Sequence, residues 1–165
     1  MFNCVSSKPG AGQKGFAREG DVLISHKATI GVTAIVPPVE HYVMLTPQVT
    51  YYRVLNKDVL SNLYLRAFFD SPLFQTPFRR TATDGSTRDY IGITKQRNLF
   101  LVLPPLKEQL EIAATVSAAE QKTTFHRRKH EVLSALVRTL LHELMTARIR
   151  VLDLDLPELE TVTTK

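Results

Sequence analysis

The sequence predicts an α+β protein in which a small, mixed β-rich domain is followed by one long C-terminal α-helix. β-branched and aromatic residues dominate short runs between residues 20 and 55, as is typical of strands. A Pro pair is followed by residues 108–151, which contain neither Gly nor Pro and can form one helix of about 65 Å. The apolar residues of this segment repeat in heptads, which indicates a coiled coil.

Composition divides the chain into four parts. Residues 1–19 are rich in Gly, Ser and Lys and are expected to form a flexible lead. Residues 20–103 contain the strand and turn signals of the domain, and residues 104–151 form the long helix. Residues 152–165 are an acidic tail with four carboxylates and one lysine.

Five extended segments are expected in the domain. Two strands lie on either side of a turn at residues 26–28, and the second ends at Pro37. A third extended run covers residues 48–55. Residues 90–93 and 99–103 are further strand candidates, because each is a short apolar run next to a polar stretch.

One well-marked helix is expected between the third strand and the polar loop. Apolar residues recur at helical spacing over residues 56–71, and Asp58 suits the first turn. Pro72 ends this helix. A second, shorter helical piece, interrupted by Pro72 and Pro77, extends to Arg80.

The charge distribution is compatible with a polyanion partner. The net charge is +5 and the isoelectric point is about 9.5. Because the tail is acidic, the rest of the chain is more basic than this total. A merely soluble basic protein would have the same balance, so charge alone leaves both interpretations open.

Other composition features limit the class of protein. Cys4 is the only cysteine, which excludes an internal disulfide and a cysteine-based zinc site. There is no apolar run long enough to cross a bilayer and no secretory leader. A soluble, cytoplasmic protein without a cofactor is therefore expected.

The polar stretch at residues 79–89 is the best candidate for a nucleic-acid contact. It combines arginine guanidinium groups with short hydroxyls, which suit phosphates and guanine edges, and Gly85 allows a close approach of the main chain. An ordinary solvated loop would look similar. The candidate DNA contacts are Lys27, Arg79, Arg80, Thr83, Ser86, Thr87, Arg88 and Lys95.

The heptad seam of the long helix predicts a partner helix. Its proposed contact residues are Ile112, Val116, His126, His130, Leu133, Val137, Leu140 and Leu144. The middle of the seam is polar, and an antiparallel pairing of two copies about this middle would be twofold symmetric. His126 and His130 have a spacing that can hold zinc, but no Glu follows His126, so they are interpreted as a polar layer and no metal is expected. A long helix lying across its own domain is the alternative.

The order of these parts resembles the DNA specificity subunit of type I restriction-modification enzymes. The resemblance rests on GDVLISHKATIG, on GSTRDYIGITKQRNLFLVLPPLKEQ, and on a helix ending LSALVRTLLHELMTARIRV, and it covers most of residues 20–151. LPPLKEQ at the helix entry is the most specific element. The acidic tail is not obviously part of the pattern.

The resemblance implies both a fold and a role. Members carry two target recognition domains, each reading half of a split DNA site, separated by two antiparallel spacer helices. These helices dock methyltransferase subunits that methylate adenine, a separate motor-nuclease subunit cuts, and the specificity subunit is not an enzyme. One recognition domain, which is short, and one helix are present here. The resemblance thus implies half of a subunit: a truncated gene, a fragment, or a natural half-subunit that forms a homodimer.

Two functions follow from this resemblance. The first is a sequence-specific DNA-binding module that reads a half-site and docks the methyltransferase through its helix. The alternative is a truncated assembly protein that pairs through its helix without reading DNA. No catalytic constellation, phosphate loop or dinucleotide fingerprint is found in the sequence, so an enzyme is not expected.

Overall fold

The computed structural model describes residues 5–6, 15–82, 90–96 and 100–150. Within these residues, six strands form two antiparallel sheets. The larger has the order β1-β6-β3-β4 and the smaller pairs β2 with β5. The strands are β1 (Val5–Ser6), β2 (Phe16–Ala17), β3 (Val22–Ser25), β4 (Thr33–Ile35), β5 (Val43–Met44) and β6 (Val49–Val54). The helices are α1 (Asn62–Asp70), α2 (Pro72–Arg80), α3 (Ile93–Gln96) and α4 (Leu106–Met145).

The main core lies between one face of the larger sheet and the helices α1 and α2. Val22 and Ile24 alternate with half-buried residues along β3, as a strand with one buried face requires. They pack with the aromatic residues of the two helices and with Ile91. The buried aromatic residues of this cluster are Tyr64, Phe68, Phe69, Phe74 and Phe78.

The expected hairpin, third strand and first helix are confirmed, but the helix begins later than expected. Ser61 is its N-cap, and its hydroxyl accepts a hydrogen bond from the Tyr64 N–H. Asp58 instead lies in a preceding turn, where its N–H donates to Asn56 Oδ1 at 2.9 Å. Pro72 ends α1 as expected and occupies the first turn of α2.

α2 continues through Pro77, so the expectation of an interrupted helix was wrong. Proline lacks an N–H but keeps a carbonyl that can accept a hydrogen bond. The Thr81 N–H donates to Pro77 O at 3.2 Å. Only the hydrogen bond that a residue-77 N–H would have donated is lost. Nine residues with a buried Phe74 and Phe78 hold the helix together in spite of this loss.

Two expectations for irregular and extended segments need correction. The expected flexible lead contains β1, which pairs with β6, and β2, which pairs with β5. The strand expected at residues 90–93 is reduced to an isolated bridge between Tyr90 and Lys27, and α3 begins at Ile93. Residues 100–103 are not in a regular element, and Leu99 lies outside the described residues.

The long helix is confirmed with different ends. α4 covers Leu106–Met145, rather than residues 108–151. It ends without Gly or Pro because Ala147 adopts a φ of 54°, and the Arg148 N–H donates to Glu143 O at 3.0 Å. Ala147 therefore lies beyond the helix. In the described ranges no helix is long and apolar enough to cross a membrane.

The chain divides into two compact units, residues 1–117 and 118–165. The division falls within α4, whereas the sequence indicated a boundary at Pro104. The N-terminal end of α4 belongs to the first unit because Gln109 and Ala113 are buried there.

Candidate nucleic-acid interface

The structure anchors both ends of the candidate DNA-contacting loop. Four of the predicted contacts lie in residues 83–89, outside the described residues: Thr83, Ser86, Thr87 and Arg88. On the N-terminal side, Thr81 caps α2 through a hydrogen bond from its hydroxyl to Phe78 O at 2.7 Å. On the C-terminal side, Tyr90 bridges to Lys27, and the Ile91 N–H donates to His26 O at 2.9 Å.

Lys27 and Lys95 lie beside these two anchors. Lys27 is exposed and pairs directly with Tyr90. Lys95 is exposed on α3, and its Nζ donates to Thr81 O at 3.1 Å. The structure therefore brings one predicted lysine to each end of residues 83–89, although Lys27 and Lys95 are far apart in sequence.

Arg79 and Arg80 are exposed in the last turn of α2. The C-terminal end of a helix carries a partial negative charge, which favours cations there. Arg79 is also oriented by its neighbour, because its Nε donates to Gln75 Oε1 at 3.2 Å. Both guanidinium groups thus sit just before the loop and retain donors for a phosphate.

Gln75 connects α2 to the β3–β4 hairpin that carries Lys27. Its Nε2 donates to Gly31 O at 2.8 Å and to Phe69 O at 2.6 Å. Gly31 has a φ of +88°, and a Cβ there would lie 2.2 Å from Gln75 Oε1. The hairpin backbone can approach Gln75 this closely only because residue 31 is glycine.

The hairpin loop is also braced from within. The Ser25 hydroxyl donates to Thr29 O and accepts from the Val32 N–H at 2.9 Å. Ala28 takes a φ of 64°, a left-handed conformation that costs energy outside glycine. These contacts hold Lys27 on an ordered loop.

His26 supports the Tyr90 end of the loop from inside the domain. It is buried, its Nδ1 is 2.8 Å from Thr50 Oγ1, and its ring meets the Tyr90 ring edge-on at 5.7 Å. Burial, and secondarily the charge of Lys27, lower the pKa of His26 below its ordinary value of 6.5. His26 is therefore neutral at pH 7 and acts as a hydrogen-bonded core residue.

The Arg53 guanidinium forms an ion pair with Asp21 inside the domain. Asp21 is 2% exposed and accepts hydrogen bonds from Arg53 Nε at 2.8 Å and Nη2 at 2.7 Å, and from the Arg18 N–H at 2.8 Å. Because this bidentate pair neutralises the Arg53 guanidinium, Arg53 is not counted with the candidate contacts. Asp21 belongs to the GDVLIS motif, and its role in the structure is to hold β3 to β6.

The predicted seam of α4 is exposed in its C-terminal part. Leu133, Val137 and Leu140 are 50%, 54% and 39% exposed. His126 and His130 are exposed, Ile112 is marginally so, and Val116 and Leu144 are half-buried. Large apolar side chains left in water along one helix favour a partner. Among the described residues no group of three His, Cys, Asp or Glu could hold a metal ion.

Three residues that organise this region were not singled out from the sequence: Gln75, Tyr90 and Gln109. Gln75 is a polar residue in the middle of an aromatic helix, which is a signal for a buried amide. The spacing of Gln109 fits the heptad repeat of the helix, but Gln109 is fully buried in the first unit. Its position at the end of LPPLKEQ was the available signal.

The chain is similar to known proteins in both sequence and fold. The family model of the type I restriction modification DNA specificity domain matches residues 7–135. A solved structure of the type I R-M system, determined for its complex assembly and conformational transition, is 25% identical with a TM-score of 0.61, over 79% of this chain and 30% of that chain.

Two further solved structures have a similar fold. The S subunit of a type I restriction-modification system from M. genitalium is 15% identical with a TM-score of 0.62, over 81% of this chain and 34% of that chain. The HsdS subunit from Thermoanaerobacter tengcongensis is 24% identical with a TM-score of 0.52, over 78% and 30%. The chain thus spans about a third of the length of the solved chains that it matches.

Proposed function

Because the chain belongs to the family of type I restriction-modification DNA specificity domains, we propose that it reads one half of a split DNA site. In this proposal the β-rich domain contacts the DNA and α4 contacts protein partners. The observation that carries the proposal is the set of exposed basic side chains placed at both ends of residues 83–89. These are Lys27, Arg79, Arg80 and Lys95.

The arrangement suits duplex DNA for a physical reason. Arginine and lysine side chains on two ordered flanks can bind phosphates and fix the position of the domain on the duplex. The hydroxyls and guanidinium group of Thr83, Ser86, Thr87 and Arg88 would then be presented between these flanks, where they could read base edges in the major groove. The flanking contacts supply affinity, and the loop supplies sequence preference.

The exposed seam of α4 supports a homodimer. In an antiparallel pair centred between His126 and His130, Leu133 faces Thr123, Val137 faces Ala119, and Leu140 faces Val116 of the second copy. Each copy would cover the apolar residues of the other. A twofold dimer carries two identical recognition domains, so it would read two inverted copies of one half-site.

We further propose that α4 docks a DNA adenine methyltransferase subunit and, through the assembled complex, a motor-nuclease subunit. The support is the family membership together with the width of the apolar surface. Leu136 and Leu141 are 52% and 55% exposed and lie beside the seam, so one partner helix would not cover them all. In this account methylation and cleavage belong to the partner subunits.

Duplex binding tests the proposal. The full chain, alone and with its methyltransferase subunit, is titrated against labelled duplex DNA at about 50 mM salt, where phosphate contacts are strongest. Binding that weakens steeply as salt rises supports the proposal. Undetectable binding in both preparations would refute it.

The second candidate function is an assembly protein that offers only its helix. The exposure of Leu133, Val137 and Leu140 favours helix pairing in either case. The two functions differ in the salt dependence of DNA binding. A scaffold that makes no phosphate contacts gives no slope, whereas four contacts per chain give a slope in log–log form of about −3.6.

A further inference from the structure

Gln109 is a fully buried glutamine in the first turns of α4, with 0% of its surface exposed. Its Oε1 accepts a hydrogen bond from the Ser61 N–H at 3.0 Å. Its Nε2 donates to Val59 O at 2.8 Å and to Pro104 O at 2.8 Å. Both amide protons and the amide oxygen are therefore used by backbone groups.

The three partners lie at the ends of two helices. Ser61 is the N-cap of α1, and Val59 lies just before it. Pro104 lies just before α4. One side chain thus joins the start of α1, a core helix of the domain, to the start of α4. A leucine at this heptad position would bury more cheaply, so the amide is needed for its directional bonds.

A second contact holds the same junction. The Tyr64 hydroxyl of α1 donates to Val102 O at 2.8 Å, in the segment that leads into α4. Burial, and secondarily the charge of Glu108, raise the pKa of Tyr64, so this hydroxyl keeps its proton at any physiological pH. The entry of α4 is therefore fixed by the three hydrogen bonds of the Gln109 amide and by the hydrogen bond from the Tyr64 hydroxyl.

We propose that Gln109 is a positioning residue that fixes the rotation and direction of α4 at its exit from the recognition domain, and thereby sets the spacer length between two DNA half-sites. This inference rests on the proposed function. A backbone-anchored amide prevents the helix from turning about its axis. One added base pair moves a half-site by about 3.4 Å along the DNA and rotates it by about 34°. A helix entry held by these hydrogen bonds would resist this change.

The test separates positioning from folding. Duplexes selected by the wild-type full chain from a randomised library define the two half-sites and their spacer. Affinities are then measured for duplexes with the selected spacer and with one base pair more or less. Wild type is expected to lose roughly tenfold for one base pair of error, a cost similar to that of a mismatched pair.

Gln109→Met keeps the side-chain length but removes all three hydrogen bonds. It is expected to lose less than about threefold for the same spacer error. Gln121→Met, the same substitution at an exposed position of α4 outside the seam, is the matched control and should behave as wild type. Hydrogen exchange at the Ser61 amide, which should rise in Gln109→Met alone, confirms that the clamp has opened.

The ratio of the affinities for the selected and the altered spacer distinguishes a positioning role of Gln109 from a merely structural one. A merely destabilised domain lowers affinity for every spacer by the same factor, so unchanged ratios in Gln109→Met would overturn the inference. If Gln109→Met does not fold, Gln109→Asn, whose amide is one methylene too short, is measured by the same ratio. If wild type selects no site at all, the proposed function fails and the inference fails with it. If wild type selects a site and both variants keep its spacer preference, only the inference is wrong.

Discussion

Gly31→Ala should destabilise the domain through Gln75. A Cβ at residue 31 would lie 2.2 Å from Gln75 Oε1, and the φ of +88° is itself unfavourable for alanine. The left-handed conformation costs about 1–2 kcal/mol. Displacing Gln75 weakens its bonds to Gly31 O and Phe69 O, at about 0.5–1.5 kcal/mol each. The expected loss in free energy of unfolding is roughly 2–5 kcal/mol.

A double-mutant cycle isolates the steric part of this loss. In a Gln75→Ala background the clash is absent, so Gly31→Ala should cost only the conformational strain of about 1–2 kcal/mol. Urea denaturation of the four proteins gives the coupling energy. Gly92→Ala is the control, because a Cβ there would meet nothing closer than Tyr90 Cε1 at 3.8 Å. Strictly additive effects of Gly31→Ala and Gln75→Ala would refute the close approach described for this hairpin.

Three further predictions follow from the interface, the buried histidine and the helix. Alanine at Lys27, Arg79, Arg80 or Lys95 should each flatten the salt slope of DNA binding by about 0.9 per chain, whereas alanine at the exposed Lys57 should not; equal slopes throughout would argue against this surface. Because burial lowers the pKa of His26 below 6.5, the unfolded chain binds a proton that the folded chain releases. Stability is therefore complete above about pH 6.5 and falls as the pH decreases through the window below it; urea midpoints at pH 7.5 and 5.5 should differ less in His26→Gln than in wild type, and an unchanged difference would contradict the assignment. Leu140→Asp should convert the proposed dimer to a monomer in light scattering, while Thr139→Asp, off the seam, should not; a monomeric wild type would rule out the pairing.

The elements that the sequence predicted well are those with local signals. The β3–β4 hairpin and β6 have β-branched runs, α1 ends at a Ser-Pro pair, and α4 has a long stretch free of Gly and Pro. Leu133, Val137 and Leu140 also recur in a regular local pattern, and the seam that this pattern indicates stays a prediction. These signals depend only on neighbouring residues, so one sequence is enough to detect them.

The elements that were missed depend on distant partners. β1 and β2 have two residues each, and their partners are β6 and β5, many residues away. α3 forms where an apolar run favoured a strand, and its Gln96 Nε2 donates to Ile91 O at 3.0 Å. A two-residue strand or a single helical turn has too few residues for a periodic pattern.

The arrangement of the candidate site could not be predicted fully, because it also depends on contacts between residues that are distant in sequence. The basic residues at 79, 80, 27 and 95 could be named from composition, but their arrangement around residues 83–89 depends on the Lys27–Tyr90 bridge and the Lys95–Thr81 hydrogen bond. The spacing of Gln109 fits the heptad repeat and gives no sign of its contacts. Its burial depends on Val59 and Ser61, about 50 residues earlier, which no helical period can indicate.

The proposed reading of DNA sequence by this chain is measured most directly by its affinity ratio between two duplexes. One duplex carries the selected inverted half-sites, and the other has the same length and composition in scrambled order, at about 150 mM salt. We expect the selected duplex to bind at least about 10³-fold more tightly, as for specific DNA-binding proteins generally. Equal affinity for the two duplexes would contradict it.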